Sequence, residues 1–213
     1  MKIELQNVIP FPIRELNYAN SDIWDKNLQF ENGKKYLVKA PSGTGKTTLL
    51  SLIYGIRNDY DGNCLLDGKK VKNINIKEFR NIRINNLSFV FQGLKLFPEL
   101  NGYENIEIKN RITNHRTKDE IYHYAEILGV KQLLERKAEI LSFGQQQRLA
   151  IIRSLCQPFD FLLLDEPFSH LDTDNAFKCL QLIEEVCTNS KSGFLLTTLN
   201  SDYGFNYDVT FNL

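Results

Sequence analysis

One stretch restricts the fold more than any other. Lys35 to Ala40 reads as a short strand, Pro41-Ser42-Gly43-Thr44-Gly45-Lys46-Thr47-Thr48 follows as a Gly-rich turn, and a helical pattern runs from about Gly45 to Gly55. A strand that turns through glycines into a helix is the setting a phosphate-binding loop requires. The reason is local. Glycines let successive backbone N–H groups curl round an anion, and the helix N-terminus adds about half a positive charge there. On this reading Lys46 reaches the β- and γ-phosphates of a nucleotide and the Thr47 hydroxyl ligates Mg²⁺, with Ser42, Gly43, Thr44, Gly45 and Thr48 completing the loop. The usual pattern carries Gly where Ala40 stands; if that position needs φ > 0, Ala costs roughly 1–2 kcal/mol.

Elsewhere short β-branched and aromatic runs alternate with helical patterns. Leu87 to Phe91, Phe161 to Asp165 and Gly193 to Thr198 read as strands, the middle one apolar at four consecutive positions and so covered on both faces. Strand, helix, strand in repetition predicts an α/β fold with a mostly parallel core sheet. Ile3 to Val8, Arg14 to Tyr18 and Asn63 to Asp67, separated by turn residues, predict an antiparallel flank at the N-terminal side. From about Pro98 to Pro158 the pattern is helical; Thr117-Lys118-Asp119-Glu120 has capping-box spacing, with Ile121, Tyr124, Ala125 and Leu128 at helical intervals behind it. The expected organisation is one domain over 1–213, with 1–97 and 159–213 as core and flank and 98–158 as an inserted helical subdomain.

A second motif, Phe161-Leu162-Leu163-Leu164-Asp165-Glu166-Pro167, sets two carboxylates at the C-terminal end of a buried strand, where open α/β sheets bind ligands. Asp165 is placed to hold Mg²⁺ through water, and Glu166, facing the other way, to polarise an attacking water as general base. A third, Leu141-Ser142-Phe143-Gly144-Gln145-Gln146-Gln147-Arg148, precedes that strand by about 20 residues. Ser142 and Gln145 have capping-box spacing, and a capped helix N-terminus is also an anion site.

Taken in this order, the motifs resemble the ATP-binding subunit of ABC transporters, whose signature is Leu-Ser-Gly-Gly-Gln followed by a helix. The resemblance runs from about residue 3 to the C-terminus. It implies a P-loop NTPase core, and a homodimer formed on ATP in which Ser142, Phe143, Gly144 and Gln145 of one chain close on the γ-phosphate held by the other. Phe89-Val90-Phe91-Gln92 looks like the segment ending in the family's lid glutamine, which gives Gln92 a place beside Mg²⁺ and in catalysis with Lys46 and Glu166. Ser169-His170-Leu171-Asp172 looks like the loop that contacts the partner subunit, with Asp172 the dimer contact. Tyr18 falls where the family stacks an aromatic on adenine. The short length, the Gln145–Arg148 run and Leu96-Phe97-Pro98-Glu99-Leu100 followed by Glu104-Asn105 most resemble the lipoprotein-release, macrolide-export and cell-division group. That group implies an integral-membrane partner docking near the segment after Gln92.

Two departures stand out. Phe143 occupies the position of the signature's first Gly, a bulky side chain that has to point away from the apposed phosphate. After the strand Gly193 to Thr198, where the family carries a His that contacts the γ-phosphate and the attacking water, the sequence reads Thr197-Thr198-Leu199-Asn200. Leucine neither donates nor accepts a hydrogen bond, and losing one such contact in an active site costs about 2.7–4 kcal/mol. The chain has three histidines, His115, His123 and His170; the first two lie in the helical block, and His170 would have to act across the dimer interface. The expectation is ATP binding with slow turnover, raised by Leu199→His. The alternative is an ABC module that dimerises on ATP as a switch with little hydrolysis, although the intact Asp165-Glu166 pair weighs towards turnover.

Composition narrows the partners. Lys plus Arg is 26 and Asp plus Glu is 26, a formal net charge of zero, so neither nucleic acid nor an anionic membrane is called for. No run of about 18 apolar residues crosses a bilayer, and the N-terminus lacks the apolar run of a signal peptide. Those features imply a cytoplasmic chain held at the inner face of the membrane through its partner. Cys64, Cys156, Cys179 and Cys187 suggest neither a zinc site nor a disulfide framework and read as packing residues.

Overall fold

The structure is a computed structural model and describes residues 1–15, 18–199 and 201–213. Along the chain run β1 (Lys2–Pro10), β2 (Asn27–Glu31), β3 (Lys35–Lys39), α1 (Lys46–Ile53), β4 (Tyr60–Leu66), β5 (Lys69–Lys70), α2 (Ile76–Asn85), β6 (Leu87–Val90), α3 (Gly102–Thr113), α4 (Lys118–Ile127), α5 (Phe143–Leu155), β7 (Phe161–Asp165), α6 (Thr173–Ser190), β8 (Gly193–Thr198) and β9 (Val209–Asn212). The strands sort into two sheets: β6-β7-β8-β3-β9, with every pairing parallel, and β2-β1-β4-β5, with every pairing antiparallel. The architecture is the α/β core with an antiparallel flank that the sequence predicts. Among the described residues no helix is long and apolar enough to cross a membrane.

Strand alternation explains how one sheet carries two cores. Phe161 and Leu163 of β7 pack with Tyr36, Val38 and Leu195 against α1 and the apolar face of the antiparallel sheet, Ile3, Leu5 and Phe30 among its residues. Leu162 and Leu164 point the opposite way, onto Leu149 and Ile152 of α5 and Leu180 and Ile183 of α6. Both faces being covered is why β7 tolerates no polar residue before Asp165. The four cysteines are buried and unpaired, and burial pushes each thiol up to about 12. They act as small apolar side chains.

Register brings the functional segments to one edge. Lys39 pairs with Thr198, Asp165 with Thr197 and Val90 with Leu164, so the loops after β3, β6, β7 and β8 all leave the sheet at its C-terminal end. The flank differs from expectation in one place. Of the expected strand Arg14 to Tyr18, the described residues Arg14, Glu15 and Tyr18 are not in a strand: Phe11 to Ile13 make a 3₁₀ turn after Pro10 and Arg14 ends it in helical geometry, while Leu16 and Asn17 lie outside the described residues. Pro10 and Pro12 have no N–H to give a ladder, so the chain turns away here. Arg14 instead pairs with Asp61 and lies 4.0 Å over the Phe11 ring.

Candidate active site

The loop after β3 is held by its own carbonyls. Ala40 is buried and its N–H donates to the Thr198 carbonyl at 3.0 Å. Its φ is not positive, so the substitution at this position stores no left-handed strain. Positive φ falls instead on Gly43 (83°) and Gly45 (106°). Gly45 is also tight underneath, where an added Cβ would sit 3.0 Å from both Ile13 Cδ1 and Trp24 Cζ2. The Trp24 indole N–H donates to the Thr44 carbonyl at 3.3 Å and braces the turn from below. Lys46, 5% exposed, donates to the Ala40 and Pro41 carbonyls at 2.8 and 2.9 Å and pairs with Glu166 Oε1 at 3.1 Å.

A cavity of about 230 Å³ opens over this loop, lined by Ser42, Gly43, Gly45, Lys46, Thr47, Thr48, Gln92 and Glu166, with Pro12 and Ile13 at its side. Eight residues from three loops of the sheet edge thus line one cavity. At its floor Asp165, 1% exposed, accepts the Thr47 hydroxyl on Oδ2 at 2.8 Å and the Thr197 hydroxyl on Oδ1 at 3.1 Å. Burial pushes its carboxyl up, while those two hydroxyls pull it back. A hydroxyl and a carboxylate converging beside a phosphate loop are hard oxygen donors, and they fit Mg²⁺, which takes one or two protein oxygens and completes its shell with phosphate and water. Glu166 turns out of the strand with φ at 47°. The turn, secured by its N–H on the Thr197 carbonyl at 3.1 Å, sends the side chain to Lys46 and away from Asp165's partners.

Tyr18 lines a small neighbouring cleft of about 90 Å³ that shares Ile13 with the phosphate-loop cavity and includes Thr44 and Trp24. Pro12, Ile13 and Trp24 form part of this region and were not legible in the sequence, because nothing in their spacing ties them to residues 40–48.

The signature residues do not line that cavity. Ser142 caps α5, its N–H donating to Gln145 Oε1 at 2.9 Å and its hydroxyl accepting the Gln145 N–H at 3.4 Å. Gly144 lies flat on the loop after β7; a Cβ there would meet the His170 carbonyl oxygen at 2.9 Å. Phe143, 41% exposed, packs at a tilt of 55° against His170 with ring centroids 4.3 Å apart. Asp172 caps α6, accepting the backbone N–H and side-chain amide of Asn175 at 2.8 and 2.7 Å, bonds that hold its carboxyl below the usual range. Leu199, 47% exposed, stands in the wall of an adjoining cleft of about 380 Å³ that shares Glu166; Asn200 lies outside the described residues.

The comparisons with known proteins agree. The ABC transporter family model matches residues 24–169. YclH of Bacillus subtilis, an ABC transporter ATP-binding protein, is 32% identical over 193 residues, which is 89% of this chain and 84% of that protein. The lipoprotein-releasing system ATP-binding protein LolD of Buchnera aphidicola is 32% identical over 87% of this chain and 80% of its own length. SsuB of Bacillus cereus, an aliphatic sulfonates import ATP-binding protein, is 31% identical over 83% of this chain and 66% of its own. The dimeric structure of a bacterial ABC transporter cassette superposes with a TM-score of 0.82 at 25% identity, covering 99% of this chain and 94% of that one. The same cassette in a post-hydrolysis state bound to ADP and Pi gives 0.81 at 26%. The chain belongs to the ABC transporter family, as one of its ATP-binding, ATP-hydrolysing subunits.

Proposed function

We propose that two copies of the chain close around two Mg-ATP molecules and that the cycle drives an integral-membrane partner in export or lipoprotein release. The observation that carries the catalytic part is the meeting of Lys46, Thr47, Asp165, Glu166 and Gln92 around one phosphate-loop cavity. The Gly43 and Gly45 turns and the N–H groups of α1 cradle the phosphates, with Ser42, Thr44 and Thr48 around them. Lys46 exchanges its carbonyl and carboxylate partners for the β- and γ-phosphate oxygens, which frees Glu166 to take a proton from the attacking water. Thr47 and Asp165, with Gln92 beside them, hold Mg²⁺, whose charge offsets that developing between the β- and γ-phosphates. Tyr18 is assigned to the adenine. The second copy brings Ser142, Phe143, Gly144 and Gln145, and Asp172 orders the loop between the copies.

On this reading the chain divides into a core (1–97 and 159–213) and a helical part (98–158), a membrane partner docks near the segment after Gln92, and the chain sits peripherally at the inner face of the membrane. The Leu96–Leu100 segment, the Gln145–Arg148 run and the similarity to LolD support release or export. Similarity to SsuB is nearly as great, so transport assays must include import. Leu199 supports a second reading, an ATP-driven dimerisation switch, because it removes a polar contact from the loop beside Glu166.

Mg-ATP hydrolysis measured against chain concentration, with Glu166→Gln as the blank, separates the two. A rate rising more steeply than linearly and lost in the variant supports a paired ATPase. A rate equal to the blank at every concentration, with an ATP-dependent dimer still seen by sedimentation, supports the switch.

A further inference from the structure

The exposed loop after β7 holds a histidine by one edge of its ring. Gln147, only 1% exposed on α5, accepts the His170 backbone N–H on Oε1 at 3.3 Å, which fixes the amide's orientation. Its Nε2 then donates to Ser169 Oγ at 3.1 Å. Ser169 Oγ lies 2.9 Å from His170 Nδ1, placed to donate its hydroxyl proton there. With Nδ1 accepting, the proton of the neutral imidazole sits on Nε2, which has no partner among the described residues. Phe143 braces one face of the ring. An exposed side chain held from two sides, with its free donor turned away from the bonded edge, is built to meet something outside its own chain.

The cleft of about 380 Å³ beside Glu166 is lined by Ser169 and Leu171, the immediate neighbours of His170, and walled by Leu199 and Phe168. In the paired reading this loop lies between the copies, and a twofold axis there would make the contact self-complementary, a residue flanking a cleft entering the same cleft of the second copy. The chemistry matches: apolar walls suit the faces of the imidazole and the Phe143 ring, and Glu166 leads from this cleft into the phosphate-loop cavity. Superposition on a dimeric cassette over 99% of the chain makes the second copy the occupant.

We propose that His170 enters the cleft beside Glu166 of a second copy and gives its Nε2–H to the terminal phosphate held there, the contact that Leu199 cannot make. Gln147 and Ser169 are positioning residues that set its tautomer. The inference rests on the paired reading of the site and revises that reading's expectation of slow turnover.

Steady-state hydrolysis by the full chain tests it. His170→Ala is expected to lower kcat by about 10²–10³ with KM changed by less than about threefold, while Leu199→His alone changes the rate little. Combined with His170→Ala, Leu199→His restores the rate to within about tenfold of the starting chain. A His170→Ala chain that turns over normally, or a loss that Leu199→His does not rescue, overturns the proposal. A second measurement is independent of turnover. His170→Cys and Leu199→Cys in the Glu166→Gln background should join two copies through a short bis-maleimide only with Mg-ATP present, the four native thiols being buried and held at a pKa of about 12. ATP-dependent dimers without cross-linking overturn the placement of His170 alone; no ATP-dependent dimer at all overturns the paired reading and the proposal with it.

Discussion

Two helix N-termini in this molecule are given to opposite uses of the same backbone chemistry. α1 starts at Gly45 with φ 106° and no side-chain cap, and the side chains of its first turn are turned elsewhere, Lys46 to two loop carbonyls and Thr47 to Asp165. α5 starts at Ser142 with φ −62°, and Ser142 and Gln145 satisfy each other's N–H groups. A helix leaves its first N–H groups without partners inside the helix, and a capping box typically recovers about 1 kcal/mol of stability from them. The α1 end forgoes that recovery and leaves its donors uncapped, as the proposed phosphate site requires. The α5 end takes it and still presents a neutral, partly open N-terminus, because the third helical position carries Gln145 where α4 carries Glu120 in the same role. Local stability and ligand affinity compete for the same N–H groups, and glycine or serine at the cap position decides which prevails.

The comparison breaks most visibly at the two glycines. Gly45→Ala places a Cβ against Ile13 and Trp24 at a φ that costs an L-residue roughly 1–2 kcal/mol. Nucleotide affinity should fall more than tenfold, measured by titration with a fluorescent ATP analogue, and Tm should fall too. Gly144→Ala pushes on the His170 carbonyl instead, and should lower Tm while leaving nucleotide affinity of the single chain within about twofold. Equal losses of affinity in the two variants would mean that the ends are not specialised. Gln145→Glu is the sharper test at α5. It keeps the capping geometry and adds a negative charge at the N-terminus, so stability holds or rises slightly. ATP-driven dimerisation in the Glu166→Gln background should weaken by about tenfold, through repulsion at close range to phosphate. An unchanged dimer constant would remove α5 from the phosphate site.

Ser142→Ala measures the cap alone. Losing the acceptor for the Gln145 N–H should cost about 1 kcal/mol in denaturant unfolding. Nucleotide binding by the single chain should not change.

How much of this was legible follows from where each signal sits in the chain. The phosphate loop and the Asp165-Glu166 turn were readable because each is a run of consecutive residues, and β7 because Phe161 to Leu164 is apolar at every step. The capping boxes at Thr117 and Ser142 were readable because a capping box is a four-residue pattern. β2 was not, since only Phe30 of its five residues is buried and its stability comes from the ladder with β1. At Arg14 and Glu15 the strand-like pattern misled because they follow two prolines that end the ladder. The conditional cost at Ala40 dissolved once positive φ proved to lie on Gly43 and Gly45. The Gln147–Ser169–His170 chain was out of reach: a glutamine 22 positions from its partner reads as a surface residue on a polar helix face, and burial alone reveals it.

The smallest effect separates the two kinds of capping box by pH. At α4, Glu120 Oε2 accepts the Thr117 N–H at 2.8 Å and the Thr117 hydroxyl at 2.9 Å, and Arg116 reaches Oε1 at 3.1 Å. The backbone N–H is the largest of the influences that hold its carboxyl below the ordinary value of 4.5, and a folded-state pKa lowered in this way contributes stability above the unfolded value and loses it as pH falls through the folded one. Since the Glu120 side chain is 41% exposed, solvent screens the pair and the contribution is about 0.5 kcal/mol or less. Glu120→Gln keeps the acceptor without the charge. Amide exchange of the first α4 turn should therefore be faster in the variant at pH 7 and converge with the starting chain as pH drops below 4.5. The first α5 turn, capped by a glutamine that does not titrate, should show no such convergence. If the α4 difference persisted unchanged into acid, the carboxylate's charge would not be what distinguishes the caps, and the reason offered for a glutamine at 145 would fall with it.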